Sequence, residues 1–253
     1  MVVMTSNELE RVVEQLKMMA DPRNVAGMAH YGISTEGTLG VPMPALKKLG
    51  RSIGMNHELA LELWDSGLHE ARILAALVAD PLRTDKAMME RWAGQFDSWD
   101  ICDQVCSYLF SWTRAAYEVI PGWAAREEEF VRRAAFVMIA ALAVHDKKAS
   151  DHSFLAFFPL IERGASDERN YVKKAVNWAI RQMGKRNLGL RGECVLLAER
   201  VRAQGTPSAR WIAADAVREL NSPAVIARLD AKQRRSRGIG AGAGEGQGDN
   251  LKV

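Results

Sequence analysis

The segment REEEFVRRAAFVMIAALAVH, residues 126–145, is apolar on almost every side when it is drawn as an α-helix. Such a helix is stable only where neighbours cover it all round, so we predict that it is central and buried. Arg132 and Arg133 interrupt its first turns, and a charge in this setting is costly unless it is paired. At least one of the two arginines should therefore meet a carboxylate or emerge at the surface, where arginine is suited to bidentate phosphate contact. The spacing does not say which of them does so.

Outward from this segment, apolar residues recur with the 3.6-residue period of helices and are interrupted by Pro, Gly, Asp or Asn, whereas strand signals are nearly absent. We therefore predict an all-α fold in which short loops make successive helices antiparallel. The predicted helices lie near residues 6–20, 43–54, 57–66, 68–80, 84–95, 98–110, 113–120, 126–145, 152–163, 168–185, 190–203, 207–219 and 222–232.

A cation early in an apolar helix recurs at Arg72, Arg133, Lys174 and Arg210, at separations of 61, 41 and 36 residues. The first separation covers two units, and units of about 30 to 40 residues are typical of HEAT-type solenoids. We predict one domain over residues 1–233, a right-handed α-solenoid of HEAT-like antiparallel helix pairs with a concave basic groove. The Gly-rich tail, residues 234–253, is predicted to be disordered, either simply solvated or acting as a basic arm.

Charge is divided unevenly along the chain, although the formal net charge is only +3. Residues 1–125 carry 11 Lys or Arg against 16 Asp or Glu, and residues 126–191 carry 13 against 8. This division indicates either a polarised surface whose basic part meets a polyanion or ordinary scatter on a solvated surface. No apolar run approaches the roughly 20 residues that span a bilayer, and the first ten residues lack a signal-peptide pattern, so we expect no membrane partner and a cytoplasmic location.

Metal and cofactor motifs are poorly supported. Cys102 and Cys106 are four apart on a predicted helix, but no His or Cys pair follows at finger-like spacing. His69 and Glu70 do not complete the zinc-protease pattern, because Ile73 stands where its second His belongs. Neither a Gly-rich phosphate loop nor a Gly-x-Ser-x-Gly elbow is present, so we expect no metal and no cofactor.

The predicted helix over residues 98–110 carries an indole beside a carboxylate. Its core stripe is formed by Ile101, Cys102, Val105 and Leu109, and the roughly opposite side carries Trp99, Asp103 and Phe110. Trp99 and Asp103 are spaced i, i+4, so their side chains are neighbours. Either this face is functional, or it is also buried and Asp103 pairs with an arginine.

The predicted helix over residues 168–185 places an aromatic residue in a basic face. Trp178 is absent from the apolar stripe and shares its side of the helix with Tyr171, Lys174, Arg181 and Lys185. A stacking surface among cations suits nucleic acid, because cations contact phosphates and the ring meets a base or sugar. The alternative is an indole that covers a neighbouring helix while the lysines extend into solvent.

These residues resemble a known family, the AlkD-type DNA alkylation repair proteins, which are glycosylases built from HEAT-like repeats. The resemblance covers about residues 8–225. It is carried by Trp99-Asp-Ile-Cys-Asp103, Arg132-Arg133-Ala-Ala and Lys173-Lys-Ala-Val-Asn-Trp178-Ala-Ile-Arg181, with support from the segments 24–33, 40–47 and 64–72. The chain departs from the best-known members at Pro42 and Met43, where those proteins carry a polar, DNA-contacting pair.

The resemblance implies that Trp99, Asp103, Arg133 and Trp178 frame the lesion. It implies excision of positively charged N3- or N7-alkylpurines without drawing the base into a pocket. Asp103 would stabilise the sugar cation and orient water, the two indoles would pack on sugar and backbone, and Arg133 would hold a phosphate. Further DNA-binding candidates are Tyr31, Arg132, Lys173, Lys174, Arg181 and Lys185.

The expected partner is double-stranded DNA with alkylated bases, bound by a monomer that associates with the nucleoid. One alternative is a non-catalytic HEAT-like protein that binds distorted or branched DNA. Another is a scaffold whose basic face binds an acidic protein, but this alternative explains Trp178 less well. The presence of Asp103 favours the enzyme.

Overall fold

The computed structural model describes residues 3–241, and the side chains of residues 8–235; within this part the fold is all-α and contains no strand. The helices are α1 (Val3–Met18), α2 (Pro22–His30), α3 (Met43–Ile53), α4 (His57–Asp65), α5 (His69–Val78), α6 (Lys86–Ala93), α7 (Trp99–Tyr108), α8 (Val119–Ala124), α9 (Glu129–His145), α10 (Asp151–Leu155), α11 (Phe158–Gly164), α12 (Asn170–Gly184), α13 (Leu188–Ala203), α14 (Pro207–Leu220) and α15 (Pro223–Ala241). A 3₁₀ turn, Phe110–Trp112, follows α7.

The helices stack in two rows. In the first row each helix packs on the next, in the order α3, α5, α7, α9, α12 and α14. The second row, which includes α4, α8, α11 and α13, packs against the first row, with α4 on α5, α8 on α9, α11 on α12 and α13 on α14.

The predicted central helix is α9, which packs against α7, α8 and α12. Every residue from Ala134 to Ala143 is at most 4% exposed, as expected for a helix that is apolar all round. An aromatic cluster extends the core towards the N-terminus, where the Trp64 and Trp92 rings stack with centroids 4.1 Å apart. Phe110 is also fully buried, contrary to its predicted place beside Trp99 and Asp103. The reason is that α7 ends at Tyr108 and the chain turns before Phe110, so the helical wheel does not extend that far.

Three helices differ from the sequence prediction. The helix α2 was not predicted because it buries no residue and has no apolar stripe to detect; Asp21 caps it and Pro22 occupies its first turn. The helix predicted over 113–120 is instead α8, which includes Pro121, a residue that the first turn of a helix tolerates. The helix predicted over 152–163 is divided into α10 and α11, because Pro159 cannot donate a helical hydrogen bond and starts a new helix.

The C-terminal helix α15 runs beyond the predicted domain boundary at residue 233 and ends at Ala241. The start of the predicted tail is therefore helical, which fits the helix-forming character of Gln233, Arg234 and Arg235. The rest of the predicted tail lies outside the described residues. Across residues 3–241, no helix is long and apolar enough to cross a membrane.

Candidate functional site

Asp103 on α7 and Arg133 on α9 form a paired charge. The Arg133 Nε donates to Asp103 Oδ1 at 2.9 Å and its Nη2 donates to Oδ2 at 2.7 Å. The remaining amino group, Nη1, donates to the Tyr171 carbonyl at 2.6 Å. Both side chains are largely withdrawn from solvent, with 15% of Asp103 and 7% of Arg133 exposed. This geometry corresponds to the alternative in which Asp103 pairs with an arginine.

Arg133 is engaged within the protein, and its expected contact with a phosphate stays a prediction. All three nitrogens of its guanidinium are used within the protein, and a charge on an apolar helix needs such compensation. Burial lowers the pKa of Arg133, but the charge and hydrogen bonds of Asp103 outweigh it and raise the pKa. Burial raises the pKa of Asp103, and the adjacent arginine opposes that rise. Arg133 therefore fixes the Asp103 carboxylate in place.

Trp99 and Tyr171 anchor the loop that follows α2. The half-buried Trp99 indole lies one turn before Asp103, and its Nε1 donates to the Tyr31 carbonyl at 3.1 Å. The Tyr171 hydroxyl donates to the same carbonyl at 3.5 Å, while the Tyr31 ring itself is 68% exposed. Gly32 is required here, because its φ is +76° and an added Cβ would lie 2.2 Å from the Tyr171 hydroxyl oxygen. The backbone of Tyr31 is thus held beside Trp99.

Trp178 lies on α12, two turns after Tyr171. Its indole is half-buried and packs on the core, so part of the ring remains open to solvent. We define the Trp99–Trp178 face as the surface carrying Trp99, Asp103, Tyr171 and Trp178. The three elements predicted to carry functional residues, α7, α9 and α12, are adjacent in the first row and connected by Arg133, which contacts both Asp103 and Tyr171.

Most cations predicted to bind DNA are paired within the protein. Arg181 binds Asp215 and Glu219 at 3.2 and 2.7 Å, and Lys185 binds Glu219 at 2.6 Å. These carboxylates lie on α14, so the basic face of α12 is partly neutralised by its neighbour.

The other three cations differ in their surroundings. Arg132 binds Asp167 at 3.0 Å, and the Lys173 amino group lies 5.7 Å from the centre of the Trp211 ring. Lys174 is exposed and, among the described residues, its side chain has no ion pair or hydrogen bond. Of the predicted lysines and arginines, Lys174 is therefore the one most available to a phosphate.

A cleft of about 430 Å³ borders Trp99 and lies between α2, α3, α5 and α7. Its walls include Met43 and the pair formed by His69 and Asp100, whose Nε2 and Oδ2 are 2.8 Å apart. Burial lowers the pKa of His69, but the hydrogen bond and charge of Asp100 outweigh it and raise the pKa. Glu70 beside it is buried and accepts backbone hydrogen bonds from Leu39, Gly40 and Val41, which holds the wall of the cleft.

The pair in this cleft was not predicted from the sequence. His69 and Glu70 were compared only with a metal motif, although the partner of His69 lies on the next helix of the first row. A signal was available in the spacing, because Asp100 follows His69 by 31 residues, close to the length of one predicted repeat. Met43, which replaces a polar residue of the resembled family, contributes an apolar wall to the same cleft.

Comparisons with known proteins place this site in context. The sequence model of the family described as DNA alkylation repair enzyme matches residues 12–219. No curated protein matches the chain. One solved structure superposes with a TM-score of 0.68 at 22% identity, over 76% of this chain and 82% of that chain. It is described as a new family of proteins related to the HEAT-like repeat DNA glycosylases with affinity for branched DNA structures. The likeness confirms the predicted fold class.

Proposed function

This chain belongs to the DNA alkylation repair enzyme family, and from that premise we propose that it is a DNA glycosylase of positively charged N3- and N7-alkylpurines in duplex DNA. The observation that carries the proposal is the Asp103 carboxylate, fixed in place one helical turn from Trp99, with 15% of its side chain exposed. In this proposal the lesion meets the Trp99–Trp178 face while the damaged base stays in the duplex and is not drawn into a pocket.

The reaction needs little catalysis from the protein. An alkylated purine that carries a positive charge is a good leaving group: the bond between its nitrogen and the sugar C1′ breaks, the electron pair neutralises the base, and the sugar becomes an oxocarbenium-like cation. Water then adds to C1′ and loses a proton. A carboxylate next to the sugar stabilises the cation and orients that water, and a fixed carboxylate needs no reorganisation as the charge develops. Arg133 supplies the fixing through its two hydrogen bonds to Asp103.

The aromatic residues hold the sugar against this carboxylate. The indoles of Trp99 and Trp178 are half-buried, so each is rigid yet offers an open ring surface. An indole attracts a cation over its face, and this attraction grows as the sugar becomes positive. A neutral lesion is a poorer leaving group, so we expect it to be released much more slowly.

Release of free base tests the proposal. Single-turnover incubation of the purified protein with duplex DNA containing N7-methylguanine is expected to release free N7-methylguanine faster than the same duplex does alone. The product is measured by chromatography, and an identical duplex with unmodified guanine is the control. If the protein binds the methylated duplex yet releases no base above the spontaneous rate, it is not a glycosylase of this lesion.

A second candidate function is recognition of distorted or branched DNA without excision. It is favoured by the pairing of both Asp103 oxygens with Arg133, which offsets part of the carboxylate charge, and by the described affinity of the similar solved protein. This candidate predicts tighter binding of a four-way junction than of a duplex of equal length. The glycosylase proposal predicts no such preference.

Lys174→Ala is expected to weaken binding of damaged and undamaged duplex by the same factor, because a phosphate contact positions DNA without reading the lesion. The slope of the logarithm of affinity against the logarithm of salt concentration should become shallower by about one. Fluorescence anisotropy over a range of salt concentrations measures both quantities. Lys86→Ala is the matched control, since Lys86, the first residue of α6, pairs with Glu118, lies outside the Trp99–Trp178 face and should contribute nothing. A loss confined to damaged DNA would assign Lys174 to the lesion instead.

A further inference from the structure

A cavity of about 740 Å³ lies where α15 approaches the C-terminal ends of α9 and α12. Four cations without a carboxylate partner line it: Lys147, Arg186, Arg228 and Lys232. Among the described residues of its lining there is a single carboxylate, Asp151, which already accepts a hydrogen bond from Asn187 at 2.8 Å. The cavity is therefore strongly positive.

Arg186 gives the cavity a fixed positive wall. Its Nη1 donates to the carbonyls of Ala143 and Asp146, and its Nη2 donates to the carbonyl of Ala149, all within 2.9 Å. Carbonyl oxygens orient a guanidinium but do not cancel its charge. The group also stacks on Phe154 at 4.2 Å, so its position is set from two sides.

Lys232 shows that the positive charges act on one another. Its Nζ donates to the Arg186 carbonyl at 2.7 Å. Partial burial and repulsion from Lys147, Arg186 and Arg228 together lower the pKa of Lys232. A bound anion reduces the repulsion between these like charges and therefore favours the charged form of each lysine.

The cavity continues the Trp99–Trp178 face. Gln182 and Lys185, which also line it, follow Trp178 by four and seven residues and therefore share its side of α12. At 1.5 Å per residue they lie about 6 and 10 Å further along the helix axis. Duplex DNA carries a phosphate about every 1.7 Å of its axis, so a nucleic acid that contacts Trp178 has phosphates within reach of the cavity.

We propose that this cavity is a phosphate-binding site that takes the sugar-phosphate backbone of DNA beyond the segment held at the Trp99–Trp178 face. The inference rests on the proposed DNA binding and extends it to a new element. Arg228 and Lys232 belong to α15, which starts at Pro223, whereas the family match ends at residue 219. The C-terminal helix thus adds a backbone contact outside the matched segment.

Charge reversal tests the site. Arg228→Glu and Lys147→Glu, made separately, are each expected to weaken binding of an undamaged duplex by at least about fivefold at low salt and to make the salt dependence shallower by about one. Both side chains are exposed and form no hydrogen bond or ion pair among the described residues, so the melting temperature should not fall. The matched control is Arg163→Glu on α11, an exposed arginine of the second row that has no ion pair within residues 8–235 and should bind DNA as the wild type does.

The remaining outcomes overturn the inference. If both variants bind duplex DNA like the wild type, while pyrophosphate raises the melting temperature of the wild type but not of Arg228→Glu, the cavity takes a free anion and not DNA. If the variants match the wild type both in DNA binding and in the shift of melting temperature that pyrophosphate causes, the cavity binds no phosphate. The glycosylase proposal is judged separately by base release. If these variants bind DNA more weakly and the wild type releases no base, the phosphate site is supported and the glycosylase proposal is rejected.

Discussion

Asp103→Asn should lower single-turnover release of N7-methylguanine by at least about tenfold, which corresponds to about 1.4 kcal/mol of barrier. The carboxylate is worth more to the cationic transition state than to the ground state, and asparagine keeps its shape but removes its charge. Affinity for undamaged duplex should stay roughly unchanged, because Asp103 contacts no phosphate in this mechanism. Rates are measured at saturating protein below the melting temperature of the variant. Equal rates for variant and wild type would show that Asp103 has only a structural role.

The same substitution is expected to lower the free energy of unfolding by about 3 kcal/mol, near the lower end of the range for breaking a buried ion pair. The cost arises because Arg133, with 7% of its side chain exposed, keeps its charge and loses its counter-ion. In the double variant Asp103→Asn/Arg133→Met no charge remains, so more than about half of the loss should be recovered. Denaturant unfolding of the single and double variants measures both values.

Comparing stability with activity separates the two roles of Asp103. If the carboxylate acts on the sugar, the double variant regains stability but still releases base slowly. If Asp103 only compensates Arg133, the double variant regains both. Asp65→Asn is the matched control, since Asp65 and Arg91 form an exposed pair whose loss should cost less than about 1 kcal/mol.

The sequence predicted the long helices best. The helix α9 was placed from its continuous apolar surface and α12 from its apolar stripe, because both signals extend over four turns or more. The short helix α2 buries nothing, so no periodic pattern marks it. The helix boundaries near Pro121 and Pro159 were predicted wrongly. A proline can end one helix or start the next, and residue spacing alone does not distinguish these two cases.

Partners across helices were the part of the site that the sequence did not predict. Asp103 and Arg133 are 30 residues apart, and Arg181 and Asp215 are 34 apart. Each pair joins neighbouring helices of the first row, so its separation is close to the length of one repeat. Segment charge counts miss this, since the excess of cations in residues 126–191 is partly compensated by Asp215 and Glu219. Trp99, Asp103 and Trp178 were singled out by the patterns of their own helices and grouped by the resemblance, but the ion pair of Arg133 with Asp103 needed the fold.

The Tyr31 carbonyl receives hydrogen bonds from residues that follow it by 68 and 140 positions. In a stack of repeats each unit ordinarily contacts only its neighbours, so folding can start anywhere and spread. A contact that spans half the chain is different, because the entropy of closing so long a loop is lost before the contact contributes anything. The loop after α2 is therefore expected to dock late, once α7 and α12 are in place. During synthesis, a chain that has not yet reached Tyr171 has all of its N-terminal helices but only part of its binding surface, so a partly made molecule is not yet able to hold its ligand.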